Sequence, residues 1–165
     1  MAQRGGIVEC TLVFGHQVFS PMIGSGQADI VVGMELMEVY RAQKYYSDKT
    51  VIIANTRRIV PPTVSTGMGK YPDNDMMIKE ISGKTKKVYA FNASEIAINA
   101  GSEKAANAVM LGVLSGLNLI PLTQEEFLSA IEKNTPQKAV QINRKAFFDG
   151  VTWIIHEIRD GFVRG

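Results

Sequence analysis

The sequence predicts a single α/β domain over residues 1–165, because short β-type runs alternate with helical periodicity along the whole chain. Two compact apolar runs, residues 30–32 and 50–54, are typical of parallel strands that are buried on both faces. An alternating run at residues 7–14 is followed by a glycine turn and a second short run at residues 18–23. This pair predicts a β-hairpin, whose antiparallel pairing would make the sheet mixed.

A fifth β-type run and six helical segments complete the pattern. The predicted strand is residues 88–92, and the predicted helices are residues 34–46, 73–81, 94–100, 102–117, 123–133 and 137–165. The helix at 102–117 is rich in small residues, which let another element approach closely. Thr123 and Glu126 form a capping box, in which each side chain accepts a hydrogen bond from the other residue's backbone N–H. The last helix carries one predicted apolar stripe: Val151, Ile154, Ile155, Ile158 and Phe162.

The overall charge and hydropathy exclude several classes of partner. Eighteen basic residues are nearly balanced by sixteen acidic residues, and the net charge of +2 predicts no nucleic-acid binding. The short basic clusters, such as Arg57-Arg58, are interpreted as a solvated surface. The apolar stretches are too short to span a bilayer, and the N-terminus has no signal-peptide pattern, so we expect no membrane association and a cytoplasmic protein.

Cys10 is the only cysteine in the chain. The chain therefore forms no internal disulfide and cannot by itself supply the four thiolates that an iron–sulfur cluster normally takes. Because Cys10 lies in the alternating run at residues 7–14, we expect a small buried side chain rather than a reactive thiol.

The familiar catalytic motifs are absent. The chain has no Walker A loop, no G-x-G-x-x-G after a strand, no H-E-x-x-H, no C-x-x-C and no G-x-S-x-G. His16 falls in a predicted turn and His156 in the last helix, so they are not expected to form a catalytic or metal-binding pair. The residues alone thus favour a binding or scaffolding domain, and no catalytic or metal-ligating residue is assigned.

Three segments are more specific than a fold requires. In the first, Arg4 is flanked by Gln3, Gly5 and Gly6; the glycines permit close backbone approach, and the guanidinium can clamp a carboxylate or phosphate. The second, P-P-T-V-S-T-G at residues 61–67, stiffens a loop that carries hydroxyl groups. An ordinary surface turn and an ordinary loop remain alternatives for these two. The third, residues 107–117, is interpreted as a buried core helix.

These segments, taken in order, resemble the small subunit of indolepyruvate:ferredoxin oxidoreductases. The resemblance rests on Q-R-G-G at residues 3–6, F-S-P at 19–21, A-D-I at 28–30, P-P-T-V-S-T-G at 61–67 with Y-P at 71–72, A-S-E-I-A at 93–97, A-G at 100–101, N-A-V-M-L-G at 107–112 and P-L at 121–122. Each motif is weak alone, but the ordered series covers nearly the whole chain.

The resemblance implies a three-layer α/β/α sandwich with a mixed sheet, like the gamma domain of pyruvate:ferredoxin oxidoreductases. It also implies membership of a complex that oxidatively decarboxylates a 2-oxoacid to an acyl-coenzyme A and reduces ferredoxin. Thiamine diphosphate, magnesium and the iron–sulfur clusters are expected in a large partner subunit, with no cofactor in this chain and coenzyme A as co-substrate. The residues expected near substrate or coenzyme are Gln3, Arg4, Gly5, Gly6, Thr63, Ser65 and Thr66.

One departure from the family pattern concerns the start of the chain. Such subunits open with a strand, a G-x-G-G-Q-G turn and a helix before Q-R-G-G, whereas here Met1 stands just before that element. We therefore expect the chain to be truncated relative to the family and, if isolated, to self-associate. A free-standing domain that binds a small molecule or nucleotide, without catalysis of its own, is the alternative function.

Overall fold

The computed structural model describes residues 8–58, 72–85 and 87–161. These described residues contain three strands, namely β1 (Ile30–Gly33), β2 (Val51–Asn55) and β3 (Lys87–Phe91). The helices are α1 (Leu36–Arg41), α2 (Asn74–Ser82), α3 (Ala93–Ala100), α4 (Ala106–Gly116), α5 (Gln124–Asn134) and α6 (Val140–Arg159). Short 3-10 turns cover Ala42–Tyr45, Glu103–Ala105 and Gln137–Ala139.

The described strands form a parallel sheet in the order β1-β2-β3. Ile30 is opposite Val51, and Val51 is in turn opposite Lys87. All five residues of the central strand β2 are buried, as its sequence V-I-I-A-N predicts for a strand covered on both faces. The sheet is thus the middle layer of the fold.

Helices cover both faces of this sheet. On one face, Ile52 and Ala54 of β2 pack with buried residues of α1 and α2, including Leu36 and Met77. On the other face, Ile53 of β2 packs with a larger cluster from α3, α4, α5 and α6. These two clusters confirm the predicted α/β class with three layers.

The closest helix pair is α4 with α6, and small residues make it possible. A Cβ added at Gly112 would overlap the carbonyl oxygen of Phe147, and one added at Gly150 would overlap the carbonyl oxygen of Val109. The two backbones therefore lie against each other. This confirms that residues 107–117 are a core helix whose small residues admit a neighbour.

Local sequence signals set several helix ends, and the capping box among them was predicted. Asp73 caps α2 by accepting a hydrogen bond from the Asp75 N–H at 2.9 Å. The Thr123–Glu126 capping box at the start of α5 is present in both directions. Gly101, with φ of 123°, ends α3 in a conformation that side chains disfavour.

The predicted hairpin is wrong over the described part of its span. Residues 8–23 contain no strand, and most of their side chains are exposed. Cys10, expected to be buried, is exposed as well. Alternating apolar residues give a segment strand propensity, but a strand forms only where a neighbouring strand supplies backbone partners. The described sheet is consequently parallel and not mixed.

Three other predictions need adjustment. The helix expected at residues 34–46 is α1 followed by a 3-10 turn. β1 was expected to be buried on both faces, but as an edge strand it leaves Val32 42% exposed. On α6, Ile155 and Ile158 are exposed, and the buried ridge is Phe147, Val151 and Ile154, since positions spaced by four and three share one helix face. Phe162 lies outside the described residues.

Over residues 8–58, 72–85 and 87–161, no helix combines the length and apolar character needed to cross a membrane.

Candidate functional site

The carboxyl ends of the parallel strands meet at one edge of the sheet, which is where open α/β sheets bind their ligands. Polar residues follow two neighbouring strands there: Asn55 ends β2 and is followed by Thr56, and Asn92 follows β3. The Thr56 N–H donates to the Phe91 carbonyl at 2.8 Å, which ties the two strand ends together. This edge is the candidate functional site.

Asn55 is the hub of the edge. Its side chain is 2% exposed, and its Oδ1 accepts hydrogen bonds from the N–H groups of Ala93 at 3.0 Å and Arg57 at 3.3 Å. Its Nδ2 donates to Ser94 Oγ at 3.1 Å. A single buried amide therefore fixes the chain leaving β2 relative to the first turn of α3.

Two half-exposed arginines follow Asn55 in the chain, and each forms an ion pair with a carboxylate. Arg57 forms an ion pair with Glu103. Arg58 lies 3.6 Å from Asp73 (Nη2 to Oδ2) and donates from Nε to Asn74 Oδ1 at 3.1 Å. Both arginines are about half exposed, so the predicted solvated surface is in part confirmed, but each guanidinium also holds a specific partner.

Asn74 closes the network by donating from Nδ2 to the Thr56 carbonyl at 2.9 Å. Residues 56–58 and 73–74 are thus joined by three polar contacts, although fourteen residues of chain separate Arg58 from Asp73. Arg58 and Asp73, which flank positions 59–71 in the sequence, therefore lie together at the carboxyl edge.

Two of the helix N-termini at this edge, those of α2 and α3, are capped by side chains, whereas Glu35 at the start of α1 makes no side-chain capping hydrogen bond. At the start of α3, the Asn92 side chain accepts a hydrogen bond from the Glu95 N–H at 3.1 Å. At the start of α2, the Asp73 side chain accepts one from the Asp75 N–H. The partial positive charge of each helix N-terminus faces these caps. Since Arg57 and Arg58 also have carboxylate partners, the polar side chains described at the ends of β2 and β3 form one connected network.

The predicted site residues Gln3, Arg4, Gly5, Gly6, Thr63, Ser65 and Thr66 lie outside the described residues. Their placement near substrate or coenzyme stays a prediction.

Asn55, Asn92 and Ser94 were not among the residues predicted near substrate or coenzyme. The usable signal was position: a polar side chain directly after each of two buried β-type runs.

The two histidines behave as surface residues. His16 is exposed, and His156 is exposed with Nδ1 3.2 Å from Arg159 Nη2. Within the described ranges, no three His, Cys, Asp or Glu side chains are grouped so that they could hold a metal ion. The one cysteine of the whole sequence, Cys10, does not fit the thiolate set of an iron–sulfur cluster.

Relatives of known assignment match nearly the whole chain. Residues 1–153 match the family model for pyruvate ferredoxin/flavodoxin oxidoreductase. An indolepyruvate oxidoreductase subunit IorB from Archaeoglobus fulgidus is 42% identical over 146 residues, which is 88% of this chain and 72% of the relative. The subunit of the same name from Methanothermobacter thermautotrophicus is 35% identical over 150 residues, 91% of this chain and 76% of the relative.

A solved structure has a similar fold. The gamma subunit of a keto/oxoacid ferredoxin oxidoreductase from Geobacter sulfurreducens aligns with a TM-score of 0.53 and 23% identity, over 79% of this chain and 66% of that one. This likeness concerns the fold, and it agrees with the α/β architecture that the sequence predicts. The sequence matches carry the assignment: this chain belongs to the pyruvate ferredoxin/flavodoxin oxidoreductase family.

Proposed function

We propose that this chain is the small subunit of a complex that oxidatively decarboxylates a 2-oxoacid to an acyl-coenzyme A and reduces ferredoxin. An aryl pyruvate such as indolepyruvate is the proposed substrate class. The observation that carries the proposal is the 42% identity to an indolepyruvate oxidoreductase subunit over 88% of the chain. The family assignment makes the chain an oxidoreductase subunit. The substrate and the products are what we propose beyond it.

The proposed division of labour follows from this chain's own residues. With Cys10 as its only thiol, this chain cannot supply the four thiolates of a cluster, so we place the iron–sulfur clusters, thiamine diphosphate and magnesium in a large partner subunit. Those groups would supply the decarboxylation and electron-transfer chemistry. The small subunit would bind and orient substrate or coenzyme A at the junction between the two chains.

Gln3, Arg4, Gly5 and Gly6, together with Thr63, Ser65 and Thr66, are the residues that we propose for this role. Support for the three hydroxyl residues comes from Arg58 and Asp73, which flank positions 59–71 in the sequence and lie together at the carboxyl edge of the sheet. That edge is the usual ligand-binding edge of open α/β sheets. Arg4 would contribute a guanidinium that can grip a carboxylate or phosphate with two parallel hydrogen bonds.

The proposal is tested by co-expressing the chain with a large thiamine-binding subunit from the family and purifying the complex anaerobically. We expect reduction of ferredoxin that requires both coenzyme A and a 2-oxoacid, with indolepyruvate used better than pyruvate. The isolated chain should be colourless and inactive. Failure of the two chains to associate, or a stoichiometric iron–sulfur absorption band in this chain alone, would contradict the proposal.

A further inference from the structure

One peptide unit at the carboxyl edge is held at both of its polar groups by asparagine side chains. This unit joins Thr56 to Arg57. The Thr56 carbonyl accepts a hydrogen bond from Asn74 Nδ2 at 2.9 Å, and the Arg57 N–H donates to Asn55 Oδ1 at 3.3 Å. Because the C=O and N–H of a trans peptide point in opposite directions, Asn55 and Asn74 hold the chain from opposite sides. We call these two residues the asparagine clamp.

The Asn55 half of the clamp is tied to α3, on one face of the sheet. Its Oδ1 also accepts from the Ala93 N–H at 3.0 Å, and its Nδ2 donates to Ser94 Oγ at 3.1 Å. Because a backbone N–H only donates, the Ala93 contact fixes which end of the Asn55 amide is the oxygen. This buried amide is therefore held in the orientation that accepts from Arg57.

The Asn74 half of the clamp comes from α2, on the other face of the sheet. Asn74 is the first residue of α2, but the capping bond there is made by Asp73, which accepts from the Asp75 N–H at 2.9 Å. Arg58 Nε donates to Asn74 Oδ1 at 3.1 Å. Because a guanidinium only donates, this contact turns Nδ2 of Asn74 toward the Thr56 carbonyl. Helix capping therefore does not account for the contacts of the Asn74 amide.

The clamp fixes the direction in which the chain leaves β2. The peptide between Thr56 and Arg57 rotates only if both of its hydrogen bonds break, and the Thr56 N–H is held as well, by the Phe91 carbonyl at 2.8 Å. At a partly exposed edge, water can satisfy a carbonyl or an N–H without fixing its direction. Ligand-binding segments need such fixing, because displacements of about 1 Å weaken the contacts that they make.

We propose that Asn55 and Asn74 are positioning residues for the proposed reaction. They act through the 56–57 peptide on the segment that follows it in the sequence, which carries the hydroxyl residues proposed to contact substrate or coenzyme A, Thr63, Ser65 and Thr66. Neither asparagine is assigned a contact with substrate. The inference rests on the proposed function, and every contact that defines the clamp lies within positions 55–94.

Two substitutions of Asn74 break the clamp at a half-buried position. Asn74→Ala removes both polar groups of the amide. Asn74→Asp keeps an acceptor for Arg58 and suits the first turn of a helix, but it replaces the donor to the Thr56 carbonyl with a second oxygen. Asn134→Ala is the matched control, since Asn134 Nδ2 donates to a backbone carbonyl in the same way, that of Ala130 at 2.8 Å, at the end of α5.

Hydrogen exchange of the full chain tests the clamp itself. The Val51 amide, which donates to the Asp29 carbonyl in the sheet, reports on global stability. Relative to Val51, the Arg57 amide of both Asn74 variants should exchange about threefold to tenfold faster than in the wild type, the range expected for the loss of one hydrogen bond. Asn134→Ala should leave this ratio unchanged. An unchanged ratio in both Asn74 variants would overturn the proposal.

Kinetics of the assembled complex test the function. A purely structural role would lower the amount of folded complex, so the maximal velocity would fall while KM stayed the same. A positioning role predicts that both Asn74 variants raise KM for the 2-oxoacid or for coenzyme A about threefold to tenfold, with kcat per assembled complex within about twofold of wild type. Asn134→Ala should keep the wild-type KM.

The wild-type complex separates this inference from the proposed function. An inactive wild-type complex would refute the proposed function and, with it, the positioning role. An active wild-type complex whose KM values are the same in both Asn74 variants would overturn the positioning role alone.

Discussion

Asn55 and Ser94 are joined by a buried hydrogen bond of 3.1 Å, although 39 positions of sequence separate them. Asn55 ends the central strand and Ser94 lies in the first turn of α3, so this bond links β2 to the helix that follows β3. The same Asn55 side chain accepts from two backbone N–H groups. The buried Asn55 amide therefore contributes more to the stability of the carboxyl edge than any of the surface ion pairs there, because water screens those pairs.

Asn55→Ala should lower the free energy of unfolding by about 2–3 kcal/mol, because it leaves buried N–H groups without an acceptor. Ser94→Ala removes only one partner and should cost about 1 kcal/mol. Urea denaturation of both single variants and the double variant measures their coupling. Strictly additive losses would show that the two side chains do not act as one unit.

Gly112→Ala and Gly150→Ala should each destabilise the protein by about 2–3 kcal/mol. In each case the new methyl group overlaps a backbone carbonyl oxygen of the facing helix, so α4 and α6 must move apart. Thermal unfolding measures the loss. Gly15→Ala is the control, since a Cβ at Gly15 meets nothing within 4 Å. Equal stability of the three variants would contradict the close helix contact.

The capping box of α5 should make stability depend on pH. The Thr123 N–H donates to Glu126 Oε2 at 2.7 Å, and this hydrogen bond, with a second one from the Thr123 hydroxyl, holds the pKa of Glu126 below its ordinary value of 4.5. A carboxyl with a lowered folded pKa contributes its stabilisation fully above pH 4.5. That contribution is lost as the pH falls through the folded pKa.

Glu126→Gln isolates this effect, because glutamine can still accept the backbone hydrogen bond but does not titrate. Urea unfolding should show that the difference in stability between wild type and Glu126→Gln shrinks as the pH falls from 6 to 3. A difference that stays constant over this range would show that Glu126 is not ionised preferentially in the folded state.

The sequence predicted those elements whose signals are local. The run T-V-I-I-A predicts a strand, and β2 is found there, because burial on both faces requires consecutive apolar residues. The T-Q-E-E box starts α5 as expected, because a capping box depends on residues three positions apart. The run containing Cys10 and Leu12 also alternates, but it forms no strand in the part of the chain that the structure describes, so its alternation was misleading. Strand pairing is a property of two segments, and one segment's pattern cannot establish it.

The candidate site was harder to predict for the same reason. Asn55 and Ser94 are ordinary residues in sequence, and they become a hub only when the β2–β3 crossover brings them together. The ion pair of Arg57 with Glu103 likewise joins residues from separate elements. The recognisable sequence motifs lie elsewhere, at residues 3–6 and 61–67, whose proposed roles rest on the family resemblance.

Arg4 provides the most direct test of that resemblance at the level of one residue. If its guanidinium binds an anionic group of the substrate or of coenzyme A at the subunit junction, Arg4→Ala should lower the turnover of the assembled complex about tenfold or more. The loss of one charge-assisted hydrogen bond, about 1.5–3 kcal/mol, corresponds to that range. Arg4→Lys should recover only part of the activity, because an ammonium group keeps the charge but not the two-pronged geometry.

The kinetic constants of these variants separate binding from structure. A rise in KM for the 2-oxoacid alone, or for coenzyme A alone, identifies which anion Arg4 contacts, while the stoichiometry of the purified complex reports on assembly. Arg159→Ala is the matched control, since Arg159 is a surface arginine whose guanidinium contacts its sequence neighbours Asp160 and His156. Normal kinetics for Arg4→Ala in an intact complex would leave Arg4 a surface-turn residue, and the anion would then have to be bound by other groups.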